Sequence, residues 1–257
     1  TGIPGHGKTE FMDQLIIDHA RLHGQRSYVI GFEQEVQEHI LKLMRKMIGK
    51  DITDPTWLNE GNMHLYKGAY DFVTRSVRHI DADRIGGDID KLLHAVAKNV
   101  AVDRASGLNV GSIVIDPFNL LSIKARVTGH ERVEIILRKL VLFSRQMEVR
   151  IFLVAHPTKM PKDEKTGEYA VPDFYSIKGS SAFFEMAYDG FVVYRYKDST
   201  RLMVKVLKVK QNNRGTTGTF AEFDYMRESG RYVPLDDEGS YMAGDHTKLD
   251  WLTKTQH

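Results

Sequence analysis

Thr1-Gly2-Ile3-Pro4-Gly5-His6-Gly7-Lys8-Thr9 opens the chain, and residues 2–9 match the phosphate-loop pattern GxxxxGK[ST] at every fixed position. An apolar periodic segment follows at once, as the pattern requires. The chemistry is specific. Gly2, Gly5 and Gly7 let the backbone wrap with its N–H groups aimed inward around an anion. Lys8 reaches the β and γ phosphates of a nucleoside triphosphate, and Thr9 offers a hydroxyl to Mg²⁺. His6 lies inside the loop and Glu10 directly behind it, so both join the candidate nucleotide contacts. A glycine turn capping an ordinary helix is the plainer reading, and the match at all fixed positions weighs against it. Such a loop normally leaves the C-terminal end of a buried strand, so a strand is expected before Thr1, on a longer protein.

Outward from the loop, Phe11, Leu15, Ile16 and Ala20 recur at helical spacing, and Gly24 ends that helix before an apolar strand at residues 27–32. A second helical pattern covers Ile40, Leu41, Leu43, Met44 and Met47. A short strand is then expected at residues 63–66 and an amphipathic helix at residues 89–102. Residues 111–116 (GSIVID) are a continuous apolar run ending in an acid, as expected of a strand covered on both faces. A helix through Val133, Ile136, Leu137, Leu140, Val141 and Phe143 leads to a similar run at residues 150–156.

Strand alternating with helix implies an α/β fold, a mostly parallel sheet flanked by helices. The runs at residues 191–196, 202–209 and 219–223 are β-rich and separated by turn residues, which predicts an antiparallel C-terminal extension. The domain is placed at residues 1–233 and a polar tail at residues 234–257.

The chain of 257 residues is 42% hydrophobic, enough for one large α/β domain or two small ones. It contains no cysteine, which excludes disulfides, thiolate metal sites and thiol nucleophiles and fits a reducing compartment. No apolar run is long enough to span a bilayer, so no membrane partner is expected. A net charge of +2 announces no polyanion by itself. The distribution is uneven. Between Gly190 and Arg214, Arg195, Lys197, Arg201, Lys205, Lys208, Lys210 and Arg214 face a single acid, Asp198. A solvated basic strand face explains such a run as readily as a polyanion site.

In open α/β sheets ligands sit beyond the carboxyl ends of the strands, so polar residues ending buried strands should converge on the phosphate loop. Asp116 ends one in the Walker B manner and would hold Mg²⁺ directly or through water. Glu33 follows another and suits a general base for the attacking water, with Glu35 as its competitor. His156 closes a third, where it would either sense the γ-phosphate or make a structural hydrogen bond.

Taken in order, residues 1–10, Gly31-Phe32-Glu33, residues 113–119, residues 153–159 and residues 178–182 resemble the five motifs of the hexameric replicative helicases with a RecA-like core. The resemblance covers roughly residues 1–225. It is nearest to phage primase-helicases and mitochondrial Twinkle, with bacterial DnaB further away. It implies a RecA-like P-loop NTPase fold and an ATP-dependent, Mg²⁺-requiring DNA helicase. Within it Lys8 and Thr9 are the phosphate and metal residues, Glu33 the catalytic base, Asp116 the Walker B acid and His156 the γ-phosphate sensor.

The loops at residues 117–129 and 157–180 correspond to segments that line a ring's central channel and hold single-stranded DNA, with Lys124, Arg126, Lys159, Lys162, Lys165 and Lys178 supplying charge. An arginine finger from a neighbouring subunit is expected in residues 208–218. Aligned from the glycines without a gap, its position falls on Asn212; a shift of one residue places it on Arg214, with Lys210 in support. The resemblance further implies a homo-oligomeric, hexameric ring, a primase-like domain upstream, and work at the replication fork in the cytoplasm or nucleoid of a bacterial or phage-infected cell. Two alternatives stand beside it: a RecA- or RadA-like recombinase, and a regulatory oligomeric ATPase that never touches nucleic acid.

Overall fold

The computed structural model describes residues 1–236, apart from Glu33, Lys159, Asn212 and Arg214 and the side chains of Asp83 and Ser180. Four strands, β1 (Gln25–Gly31), β2 (Val77–His79), β3 (Asn109–Asp116) and β4 (Arg150–Leu153), form a parallel sheet in the order β2-β1-β3-β4. Its central strands alternate their side chains between two cores, because successive residues of a strand point to opposite faces. Tyr28 and Ile30 of β1, with Ile113 and Ile115 of β3, face the helices α5 (Ile89–Ala105) and α6 (Gly129–Met147). Val29 and Val114 face the opposite side, against α1 (Lys8–His23), α2 (Val36–Ile48) and α3 (Met63–Ser76). Both faces are thus covered, which is why these strands read as unbroken apolar runs.

The antiparallel strands expected toward the C-terminus form a sheet with its own ladder, β5 (Asp189–Arg195), β6 (Arg201–Val209), β7 (Phe220–Met226) and β8 (Arg231–Pro234), in sequential order. It packs Val193, Leu202, Val204 and Tyr232 against Phe11 of α1. The backbone of Thr1 joins this sheet: its N–H group donates to Phe191 O at 2.8 Å, and its carbonyl accepts from Val193 N at 2.9 Å. The phosphate loop is therefore entered from a strand-like position beside β5.

One expected element is corrected. Residues 63–66 begin the helix α3 and are not a strand; Ala69 and Val73, one turn apart, carry its buried stripe. The strand of this region, β2, follows at once and has only three residues at the edge of the sheet. Residues 82–85 add one short helix, α4 (Ala82–Ile85), and the segment before β5 another, α7 (Ser180–Met186). At the far end Leu235 N donates to Glu222 O at 2.9 Å and its side chain is buried, so ordered packing reaches past residue 233. Residues 237–257, most of the expected tail, lie outside the described residues.

Candidate active site

The sequence shapes the phosphate loop with glycines. Gly7 caps α1 at φ 89°, and a Cβ there would collide with the Tyr232 hydroxyl of β8, so both the backbone angle and the close packing require glycine. No side chain caps α1, which leaves its first-turn amides directed into the loop, where an anion binds favourably. The buried Lys8 ammonium folds over the loop and donates to Gly2 O at 2.8 Å and Ile3 O at 3.1 Å.

Thr9 and Asp116, 107 residues apart in sequence, meet at the mouth of the sheet: the Thr9 hydroxyl donates to Asp116 Oδ2 at 2.6 Å. A hydroxyl beside a carboxylate is a hard-oxygen pair. It suits Mg²⁺, which takes one or two protein oxygens together with phosphate oxygens and water and needs no all-protein cage. Consistent with that, no group of three or more His, Cys, Asp or Glu side chains could hold a metal ion unaided among the described residues.

Glu33 lies outside the described residues, but its neighbours are placed. Phe32 N donates to the carbonyl of Asp116 at 3.2 Å, and Gln34 lines a 410 Å³ cavity together with Thr9 and Asp116. Glu35 is the residue before α2 and is exposed. His156 comes three residues after β4, half-buried; the strand itself ends at Leu153, and Val154 keeps the pairing by donating to Ile115 O at 2.9 Å.

His6 makes its bonds toward the second sheet. Its Nδ1 accepts from Arg195 N at 3.0 Å and its ring meets Tyr194 edge-on. Burial, with the charges of Arg195 and Lys8, lowers its pKa, which favours the neutral ring that this bond needs. Glu10 is committed to α2, with its carboxylate paired to Lys42 at 2.8 Å and Lys46 at 2.6 Å. Lys210 lies on the other side of the molecule, over the Tyr188 ring and lining a 350 Å³ groove with Arg138, Leu142 and Arg145. Arg214 and Asn212 fall outside the described residues.

Of the expected DNA contacts, Lys124, Arg126, Lys162, Lys165 and Lys178 are all exposed on loops, and Lys159 lies outside the described residues. The longer loop is tied at its base by Thr158 N donating to Ser176 O at 2.6 Å. Inside it Asp163 accepts from Lys165 N and Thr166 N at 2.9 and 2.8 Å, while Lys162 sits over the Tyr169 ring.

Sequence reading missed the buried cluster behind Thr9. Asp13, one turn along α1, accepts from His39 Nε2 at 2.9 Å and from Lys42 at 2.8 Å, and His39 Nδ1 meets His79 Nε2 at 2.8 Å. The available signal was an acid on the buried stripe of α1, between Lys8 and Ile16.

Fold and site together define a RecA-like nucleotide-binding domain of the type found in DnaB-like helicases. A helicase ATPase domain of known structure superposes with a TM-score of 0.74 at 16% identity, covering 91% of this chain and 83% of that one. A DnaB-like replicative helicase, solved in a study of its interactions with primase, gives 0.74 at 15% identity over 91% of this chain and 57% of its own. In sequence the chain is similar to the Twinkle homolog protein, chloroplastic/mitochondrial, of Arabidopsis thaliana, 27% identical over 252 residues. That match takes in 90% of this chain and spans about a third (33%) of the relative. No family model matches. These likenesses agree with the motif-level resemblance to DnaB-like replicative helicases, and none of them points to a recombinase. No helix among the described residues is long and apolar enough to cross a membrane.

Proposed function

We propose that the chain is the motor domain of a replicative DNA helicase, hydrolysing Mg²⁺-ATP and using the energy to move along single-stranded DNA. The observation that carries the reading is the 2.6 Å contact between Thr9 and Asp116 beside the buried Lys8. In the chemistry proposed, Lys8 leaves the loop carbonyls for β- and γ-phosphate oxygens, and Thr9 and Asp116 hold the cation. Mg²⁺, when bound, neutralises charge on the β- and γ-phosphate oxygens. Glu33 orients a water and accepts its proton as the oxygen attacks the γ-phosphorus. The bond to the β–γ bridging oxygen breaks, and ADP and phosphate leave. His156, at the head of the loop that carries Lys162, Lys165 and Lys178, is suited to passing the presence of the γ-phosphate to a DNA-gripping segment.

The same reading assigns Arg214, supported by Lys210, to the active site of the next subunit in a homo-oligomeric ring, a hexamer by resemblance. Lys124, Arg126, Lys159, Lys162, Lys165 and Lys178 then hold the strand through its phosphates without reading sequence. A primase-like domain upstream, a strand entering the phosphate loop beside β5, and work at the replication fork in the cytoplasm or nucleoid belong to the same proposal. The Arabidopsis relative is by name chloroplastic and mitochondrial.

Two variants test the chemistry. Lys8→Ala should abolish nucleotide binding, whereas Glu33→Gln should bind ATP within a few-fold of wild type and lose turnover by about 10²-fold or more. Wild-type hydrolysis by Glu33→Gln moves the base elsewhere, with Glu35 next in line.

A further inference from the structure

The apolar contacts between α1 and α2, through Ile16, Ile17, Leu43, Met44 and Met47, already hold these helices together. A polar relay is added only at the end of α2 nearest the 410 Å³ cavity. His39, buried in the first turns of α2, has both ring nitrogens engaged: Nε2 with Asp13 of α1 at 2.9 Å and Nδ1 with His79 of β2 at 2.8 Å. Two opposed hydrogen bonds fix the ring's position and rotation. The Asp13 carboxylate, fully buried, takes Lys42 as its second partner, so the charge is compensated. Asp13, His39 and His79 wall the same cavity as Thr9, Asp116 and Gln34. Between Gln34 and His39 lie only four residues, and the segment leading into α2 is the one that carries Glu33.

We propose that His39 is a positioning residue for hydrolysis: clamped between Asp13 and His79, it locks the start of α2 against α1 and β2. The Glu33 segment is thereby held facing the Thr9–Asp116 pair. The inference deepens the hydrolytic reading and rests on Glu33 as the base. Lys42 acts one step further back, by keeping Asp13 an acceptor, and Glu10 and Glu38 are the other charged groups of this corner.

The test is steady-state ATPase and nucleotide affinity of the full-length protein carrying His39→Ala, His39→Gln or Glu33→Gln. A misplaced base predicts that His39→Ala lowers kcat about 10- to 100-fold while nucleotide Kd stays within about threefold. His39→Gln, whose amide nitrogen reaches toward Asp13 as Nε2 does, should recover most of the loss. A kcat for His39→Ala within twofold of wild type overturns the proposal, as does a loss that appears equally in Kd or is not relieved by glutamine. Should His39→Ala fail to fold, His79→Ala on the edge strand reads the same relay: about tenfold lower kcat supports it and an unchanged kcat overturns it. Glu33→Gln separates the two claims. If it hydrolyses at the wild-type rate, the base assignment fails; if it is inactive while His39→Ala is normal, only the relay fails.

Discussion

At Asp13 two opposing effects decide the charge. Burial alone would raise its pKa, yet the hydrogen bonds and charges of His39 and Lys42 outweigh that and hold it at about 2. His79 moves the other way for a histidine, lowered from 6.5 to about 4 by burial and by the neighbouring His39. A folded pKa below the unfolded one means that the unfolded chain binds the proton first. The stability linked to His79 is therefore full above about pH 6.5 and drains as pH falls toward 4, by up to about 1.4 kcal/mol per pH unit. Denaturant unfolding of His79→Gln should show a flatter pH dependence between pH 6.5 and 4 than wild type, and superimposable slopes would contradict it.

Residues of this kind were also the least legible in the sequence. Lys8, Thr9 and Asp116 could be read because a local motif and a strand end announce them. The Asp13–His39–His79 contacts join three elements across sequence separations of 26 and 40 residues, and only the fold brings them together.

Among the elements, α2 shows how the second sheet supports the first. Its last turn presents carbonyls that have no partner within a helix, and Arg231 of β8 donates to two of them, Lys46 O and Met47 O at 2.5 and 2.6 Å. Lys46, fully buried, answers by donating to Gly230 O and pairing with Glu10. Arg231→Ala should cost about 2–3 kcal/mol in an unfolding titration, as expected for lost charge-assisted bonds. Arg231→Lys should recover only part, since an ammonium lacks the guanidinium's fork. A change below about 0.5 kcal/mol for Arg231→Ala would remove this clamp from the stability of α2.

Elements were legible in proportion to their length and burial. The doubly covered strands β1 and β3 and the long helices stood out. The start of α3 was read as a strand because Met63, Leu65 and Tyr66 mimic a short apolar run, while Gly68 interrupts the helical pattern and β2 is too short to mark where α3 ends.

Across the whole molecule the antiparallel sheet embraces the phosphate loop. Thr1 bonds to β5, His6 to Arg195, and the Tyr232 hydroxyl donates to Gly7 O at 3.3 Å. Changes at the phosphates are thus placed to reach the segment at residues 210–218, where Lys210 and Arg214 are proposed to serve a neighbouring site. For the full-length protein this predicts that ATPase per subunit rises with protein concentration, and that mixing Arg214→Ala with Glu33→Gln subunits restores activity neither has alone. Concentration-independent activity without rescue would exclude a finger acting in trans.

The most direct measurement is the ATPase rate of the full-length protein titrated with single-stranded DNA over a range of salt concentrations. A motor gripping phosphates through the loop lysines predicts a rate raised by single strands of any sequence. It also predicts an apparent affinity falling steeply with salt, the log–log slope shrinking by roughly one unit for each of Lys162, Lys165 or Lys178 whose replacement removes a phosphate contact. An ATPase indifferent to single-stranded DNA at low salt would contradict the helicase reading.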